Sequence, residues 1–135
     1  MKDKIYSLME DTINNGKGIY QVDDLQSYVD KIMQHACIIS IIEDNSLQGF
    51  LAYYANNYES KEAFLSMTII APRSRKLGYG RRLVDFCLTD LLYKGFKKCK
   101  TEVNENNTAA LNVCKKCGFL EYRRTGCSVF LEKEI

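Results

Sequence analysis

Between Ile70 and Leu83 the chain carries five cations and two glycines, with no acidic residue among them: Arg73, Arg75, Lys76, Arg81, Arg82, Gly78 and Gly80. A mostly apolar run, Phe64 to Ile70, precedes them and reads as a buried strand. The apolar spacing of a helix begins at Leu83. Strand, glycine loop and helix N-terminus in that order build an anion site. Glycine lets the backbone approach a ligand closely, and the first helical N–H groups lack intrahelical partners while the dipole favours negative charge. The ligand this chemistry expects is a phosphate or pyrophosphate.

Spacing separates the phosphate loops. A dinucleotide fingerprint requires Gly-x-Gly-x-x-Gly, and Leu83 stands at the third glycine's place, although Glu102 lies at roughly the distance of a ribose-binding acid. A Walker loop is absent. What remains is Arg75-x-x-Gly78-x-Gly80. A second segment, Asn107 to Phe119, has Asn107, Ala110, Leu111 and Cys114 on one helical face and closes on Gly118-Phe119. Asn107 can cap that helix or bond a ligand amide, and Ala110 keeps the wall thin.

The elements that must position these residues follow from periodicity. Helical spacing covers Lys2 to Ile13, ended by Asn14-Asn15-Gly16, and Val22 to His35, begun at Asp23 or Asp24. Ala36 to Ile42, Gln48 to Tyr54 and Glu62 to Ala71 read as strands joined by tight turns, hence an antiparallel meander. A helix from about Gly80 to Lys94 shows Leu83, Val84, Cys87, Leu88, Leu91 and Leu92 as its stripe, and Gly95 stops it. Phe96 to Val103 is the next strand. A whole helix separates it from Ile70, so the two strands run parallel by a right-handed crossover. The Asn107 helix follows, then a hairpin from Phe119 to Arg124 and Cys127 to Lys133 about Thr125-Gly126.

Both segments resemble the GNAT acetyltransferase superfamily. Arg75-x-x-Gly78-x-Gly80 is similar to its Arg/Gln-x-x-Gly-x-Gly/Ala loop, and Asn107, Ala110, Gly118 and Phe119 match its Asn-x-x-Ala-x-x-x-Tyr-x-x-x-Gly-Phe pattern. The motif-covered part is about 36–135. The resemblance implies an α/β (α+β) fold in one domain: a mixed, splayed sheet with two N-terminal helices, a crossover helix, a short C-terminal helix and a hairpin. It implies acetyl-CoA as cosubstrate, its pantetheine arm bonding backbone groups near Ile69 and Ile70 in the manner of an added strand. The pyrophosphate would sit on the N–H groups of Arg75, Lys76, Leu77, Gly78, Tyr79 and Gly80, beside Arg81. The family's thiolate-protonating tyrosine is replaced by Cys114. That leaves three roles for Cys114: acid, acetyl relay, or wall, with Tyr122 or water as alternative acid. Glu102, in Thr101-Glu102-Val103, stands where the protein N-terminal branch of the family places a base. On the other central strand Ser66 and Met67 occupy the place where many relatives carry a carboxylate, and a serine there could order a water.

Composition bounds the function. The chain has 135 residues, enough for one domain with a core, and a formal net charge of +2, which argues against a nucleic-acid partner. No apolar run approaches a membrane span and no signal peptide is visible, so cytoplasm is the expected compartment. The cysteines, Cys37, Cys87, Cys99, Cys114, Cys117 and Cys127, are expected to be reduced and mostly buried. Cys114-x-x-Cys117 has no second pair, and His35 is the only histidine, so no metal is expected. The expected activity is direct acetyl transfer to a primary amine, of a small molecule such as an amino sugar or of a protein N-terminus. The alternative is an acyl-CoA-binding sensor that has lost catalysis. Tyr53, Tyr54 and Tyr58 read equally as cleft wall or core. Family relatives are often dimers, and a homodimer is within what the resemblance implies.

Overall fold

A computed structural model describes residues 1–15 and 24–135. Two helices, α1 (Lys2–Asn15) and α2 (Leu25–His35), lead into strands β1 (Cys37–Glu43), β2 (Ser46–Tyr54) and β3 (Glu62–Ile70). Helix α3 (Tyr79–Tyr93), strand β4 (Lys98–Asn104), helix α4 (Thr108–Lys116) and strands β5 (Leu120–Thr125) and β6 (Ser128–Glu134) follow. These form one mixed sheet in the order β1-β2-β3-β4-β6-β5. The meander is antiparallel and β3–β4 is parallel, as the crossover requires. Gly16, Val22 and Asp23 lie outside the described residues. Helix α2 opens at Leu25 because Asp24 caps it, accepting from the Ser27 N–H at 3.1 Å. The β1–β2 turn carries Asp44 and Asn45 at φ of 51° and 61°, the left-handed pair of a tight hairpin whose twist suits its strands.

The sheet separates two apolar layers. On one face α3 and α4 bury Leu83, Val84, Cys87, Leu91 and Cys114 against Leu51, Leu65, Cys99, Val103 and Leu131. On the other, α1 and α2 bury Ile5, Met9, Val29 and Ile32 against Phe50, Ala52 and Ile69. Each fully buried aliphatic side chain contributes roughly 1.5–3 kcal/mol. Of the two aromatic expectations that resolve, one is core and the other surface: Tyr53 is buried and Tyr58 is exposed. Tyr53 is buried in the α3 layer, its hydroxyl accepting from Lys94 Nζ at 3.2 Å, and Tyr58 packs edge-on to Phe96 with ring centroids 5.2 Å apart. Leu92 leaves the α3 stripe and is 61 % exposed. At about 100° per residue it falls on the far side of the helix from Leu83. Among the described residues no helix is long and apolar enough to cross a membrane.

One irregularity shapes the functional centre. On β3, Leu65 pairs with Tyr53 and Met67 with Ala52, so Ser66 is an extra residue that bulges the strand. The bulge turns β3 away from β4. The two strands pair only through Glu62↔Lys98, Ala63↔Cys99, Phe64↔Lys100 and Leu65↔Thr101. Thr101 Oγ1 donates to the Leu65 carbonyl at 2.9 Å at this last rung. Beyond it β3 bonds only β2, and β4 only β6, leaving a fork.

Gly49, on β2 opposite Ile70, holds the end of β3 in place. A Cβ there would lie 2.7 Å from Ile70 Cδ1 and 2.9 Å from the Ile69 carbonyl oxygen. The side chain can turn aside, whereas the carbonyl belongs to the strand. Gly49→Ala is therefore expected to cost about 1–3 kcal/mol, read as a lower urea midpoint at unchanged slope. A loss below about 0.5 kcal/mol would show that β3 yields freely here.

Candidate active site

The loop between β3 and α3 is pinned at its start and open at its end. The Ala71 N–H donates to the Gln48 carbonyl at 2.8 Å, Pro72–Ser74 make one turn of 3₁₀ helix, and Ser74 Oγ hydrogen-bonds the Gln48 side-chain oxygen. Arg73 does not join the cationic group that the sequence suggests. Its guanidinium donates to Ser46 Oγ at 2.7 Å and to the Leu47 carbonyl at 3.1 Å, which fastens the loop to β2. Arg82 lies over the Tyr79 ring, 5.3 Å from its centroid. Arg75, Lys76 and Arg81 stay exposed beside the helix start. Arg75 Nε reaches the Ile70 carbonyl at 3.4 Å, and Arg81 Nε lies 3.9 Å from Asp85, an exposed pair of little energetic weight.

Gly78 is the N-cap of α3, at φ 79° in the left-handed region that favours glycine, and it offers no side chain to the helix. The contrast within the chain is direct. Asp24 caps α2, and Asn107 caps α4 by accepting from the Ala110 N–H at 3.2 Å. At α3 the first backbone bond is from Arg82 N–H to the Gly78 carbonyl, which leaves the preceding N–H groups without intrahelical partners. Tyr79 donates its hydroxyl to Glu43 at 2.6 Å, a bond that raises its pKa and ties the helix start to β1. Beside Gly80 a Cβ would meet only Val113 Cγ2 of α4, at 3.5 Å. The fork adjoins this helix start, with Ile69 buried and Ile70 half-buried at its β3 edge. Uncapped N–H groups, flanking cations and an adjoining strand edge suit a long molecule with a pyrophosphate at one end and amide groups along its arm.

The catalytic candidates lie on opposite faces of the sheet. Cys99 and Val103 point into the α3 layer, so Glu102 projects to the other face, where its carboxylate accepts from Ser128 Oγ at 2.7 Å. Tyr122 shares that face, tilted against Phe130 with ring centroids 6.4 Å apart and beneath Lys100, whose Nζ lies 5.7 Å from its ring centroid. Cys114 is on the α4 side, 5 % exposed in the core. The structure also brings together a pair that the sequence does not announce. Tyr28 of α2 and Ser66 of the bulge share a hydrogen bond of 2.9 Å. Burial raises the Tyr28 pKa, with the Ser66 bond opposing it, and burial likewise raises that of Tyr54 nearby. In the sequence Tyr28 is one more member of an amphipathic stripe; a hydroxyl on that stripe is the only signal. Among the described residues no cluster of His, Cys, Asp and Glu is arranged to hold a metal.

A family model described as the acetyltransferase (GNAT) family matches residues 3–119. The chain belongs to that family. The match reaches α1 and α2, which neither sequence motif covers. No curated protein sequence matches the chain. Among solved structures, the PaiA N-acetyltransferase of Thermoplasma acidophilum in complex with coenzyme A has a TM-score of 0.82 at 17% identity, covering 99% of this chain and 92% of that one. The ribosomal-protein-alanine N-acetyltransferase of Brucella melitensis gives 0.80 at 14%, covering 99% and 94%. An aminoglycoside 6'-acetyltransferase type Ii gives 0.82 at 16%, covering 98% and 88%. Identities this low establish the GNAT fold alone, which here spans a ribosomal-protein-alanine and an aminoglycoside acetyltransferase. As a GNAT member the chain is an acetyltransferase in its general class, with acetyl-CoA the donor typical of the family.

Cys114 stands where the GNAT pattern has tyrosine. Burial first, then the neighbouring thiols of Cys117 and Cys99, push its pKa up to about 12. Cys117, bonded to Asp85 at 3.6 Å, is pushed up to about 11, mainly by burial. At pH 8 roughly one Cys114 thiol in ten thousand is then ionised. A thiolate is the nucleophile in alkylation as in acyl capture. In the native protein iodoacetamide should therefore label exposed Cys127 first and Cys114 at least about a hundredfold more slowly. Comparable labelling of Cys114, read by peptide mass spectrometry, would show an activated thiol instead.

Proposed function

We propose that this GNAT chain transfers the acetyl group of acetyl-CoA directly to a primary amine. The observation that carries this reading is the helix α3 that leaves its own N-terminus uncapped beside the β3–β4 fork. In this reading the N–H groups and cations from Arg75 to Arg81 hold the pyrophosphate, and the edge at Ile69 and Ile70 holds the pantetheine arm. Asn107, whose side chain caps α4, and the small Ala110 form the wall opposite. Glu102 takes the amine's proton. It lies on the face of the sheet away from α3, is exposed enough to meet an acceptor, and is fixed by Ser128. Cys114 serves as wall: a buried thiol held neutral is a poor nucleophile and a weak acid near neutral pH. The departing thiolate then takes its proton from water or from Tyr122. Cys114→Ala should keep turnover within about threefold, whereas an acid's removal costs about 10²-fold or more.

The test combines donor binding with turnover. By calorimetry with CoA, Gly80→Asp should abolish binding, because it sets a negative charge where a pyrophosphate must approach the backbone. The added Cβ meets only Val113 at ordinary contact distance, so the variant is expected to fold. Arg75→Ala should weaken CoA by about fivefold or less, the ~1 kcal/mol of an exposed charge contact. Unchanged affinity in folded Gly80→Asp would overturn the donor site. Release of free thiol from acetyl-CoA across a panel of amines then separates a transferase from a sensor that binds the donor tightly and turns nothing over.

A further inference from the structure

Ser66 and Glu102 are the first residues beyond the last rung, Leu65↔Thr101, one on each lip of the fork. Both project to the face that α2 overlies at β3. Ser66 does so through its bond to Tyr28, and Glu102 by alternation with the inward-facing Val103. We propose that these two lips hold the acceptor amine, with Ser66 Oγ accepting one of its N–H groups while Glu102 removes its proton. We further infer that the acceptor is a monoamine on an aromatic or apolar body. The inference rests on the transferase reading above.

Tyr28 makes Ser66 an acceptor of fixed direction. A phenol is the stronger acid of two hydroxyls, and burial keeps this one protonated, so Tyr28 donates and Ser66 receives. The second lone pair and the proton of Ser66 are left for the fork. The bulge is what allows this: as the extra residue, Ser66 lies at the kink where the strands part. On the opposite lip Ser128 orients Glu102 in the same way. Tyr28 is a positioning residue, acting only through Ser66.

Aromatic side chains flank both lips. Tyr54 pairs with Phe64 two residues before Ser66, and Phe130 pairs with Glu102 across β4 and β6. Phe64 is 40 % exposed although it lies among these neighbours. Cations occupy the same region: Lys100, opposite Phe64 in register and 3.6 Å from Glu62, and Arg123, 4.2 Å from the Phe130 ring centroid. Lys100 is paired with Glu62, so Glu102 is the carboxylate at the lip itself, and the aromatic rings beside it suit a single ammonium on an apolar body. The chemistry balances simply. R–NH₃⁺ gives one proton to Glu102, the nitrogen lone pair forms a bond to the thioester carbonyl carbon, and the C–S bond breaks with its electron pair on sulfur. Water or Tyr122 protonates the thiolate, the second nitrogen proton restores that donor, and the Glu102 proton passes to solvent. The products are an amide, a thiol and one proton.

The experiment is steady-state transfer from acetyl-CoA to 2-phenylethylamine, spermidine and the tripeptide Ala-Ala-Ala, using wild type, Ser66→Ala, Ser66→Thr, Tyr28→Phe and the Tyr28→Phe/Ser66→Ala double variant. The expected kcat/KM for phenylethylamine exceeds that of the other two by about tenfold or more. Ser66→Ala should raise the amine KM about tenfold, the worth of one hydrogen bond to a charged group, with the acetyl-CoA KM unchanged. Ser66→Thr, which keeps a hydroxyl, should restore most of it. The double variant should be no worse than Ser66→Ala alone, a non-additivity that loosened packing would not produce. An amine KM indifferent to Ser66→Ala, or additive losses in the double variant, would overturn the Ser66 lip. Preference for spermidine or the peptide would overturn the acceptor class. Wild type that binds CoA yet acetylates none of the three would overturn the transferase reading for these amines and this inference with it.

Discussion

The organisation of this protein depends on a parallel strand pair that stops after four rungs. A sheet interior normally satisfies every backbone group by continued pairing, and unpaired edges are a liability. Here the edge is internal, opened by one surplus residue, Ser66, and closed off at its base by the Thr101 hydroxyl. The open length adjoins the start of α3, where a glycine N-cap leaves the helix's own donors unspent. Two sets of unsatisfied backbone groups therefore lie side by side. Neither is useful to the fold alone, and together they match one extended, anionic ligand.

The remaining elements are intelligible as supports for that arrangement. Arg73, Ser74 and Ala71 fasten the first half of the loop to β2, so that the second half, from Arg75, is the part left open. Tyr79 reaches across to Glu43 and fixes the helix start against β1. Helix α4 packs beside α3 through Val113 next to Gly80 and through Cys117 on Asp85. Cys114 completes that packing from within the core, where a larger tyrosine would have to find another path.

The sequence made the secondary structure legible because its signals are local. Among the described residues, period, caps and glycines placed the four α-helices and six strands, and the crossover gave the parallel pair. The uncapped start of α3 and the cations beside it were legible because they are contiguous, from Arg75 to Arg81. What escaped were features decided by distant partners. Arg73 looked like one more ligand cation, but its guanidinium is used by Ser46 and Leu47, which are 27 and 26 residues away. Tyr53 and Tyr54 are adjacent, and strand alternation sends one to each layer. The Ser66 bulge has no turn residue to announce it. The Tyr28–Ser66 bond joins positions 38 residues apart on different elements.

The fork also divides the molecule by chain order. Residues up to Ile70 build α1, α2 and the meander, and residues from Tyr79 onward build α3, α4 and the β4-β6-β5 ribbon. The meander and the β5–β6 hairpin close short loops and β4–β6 closes at its nearest rung, Asn104↔Ser128, over 24 residues, whereas every parallel rung, from Glu62↔Lys98 on, joins residues 36 apart across an intervening helix. Loop closure of that kind carries the greater entropic cost and slows assembly. The junction most expensive to close is thus also the shortest ladder between the halves. A donor seated in the fork would bridge them as an additional stitch, so its occupancy would be felt in the cooperativity of the whole sheet and in the amide protection of both lips, well beyond the residues that touch it.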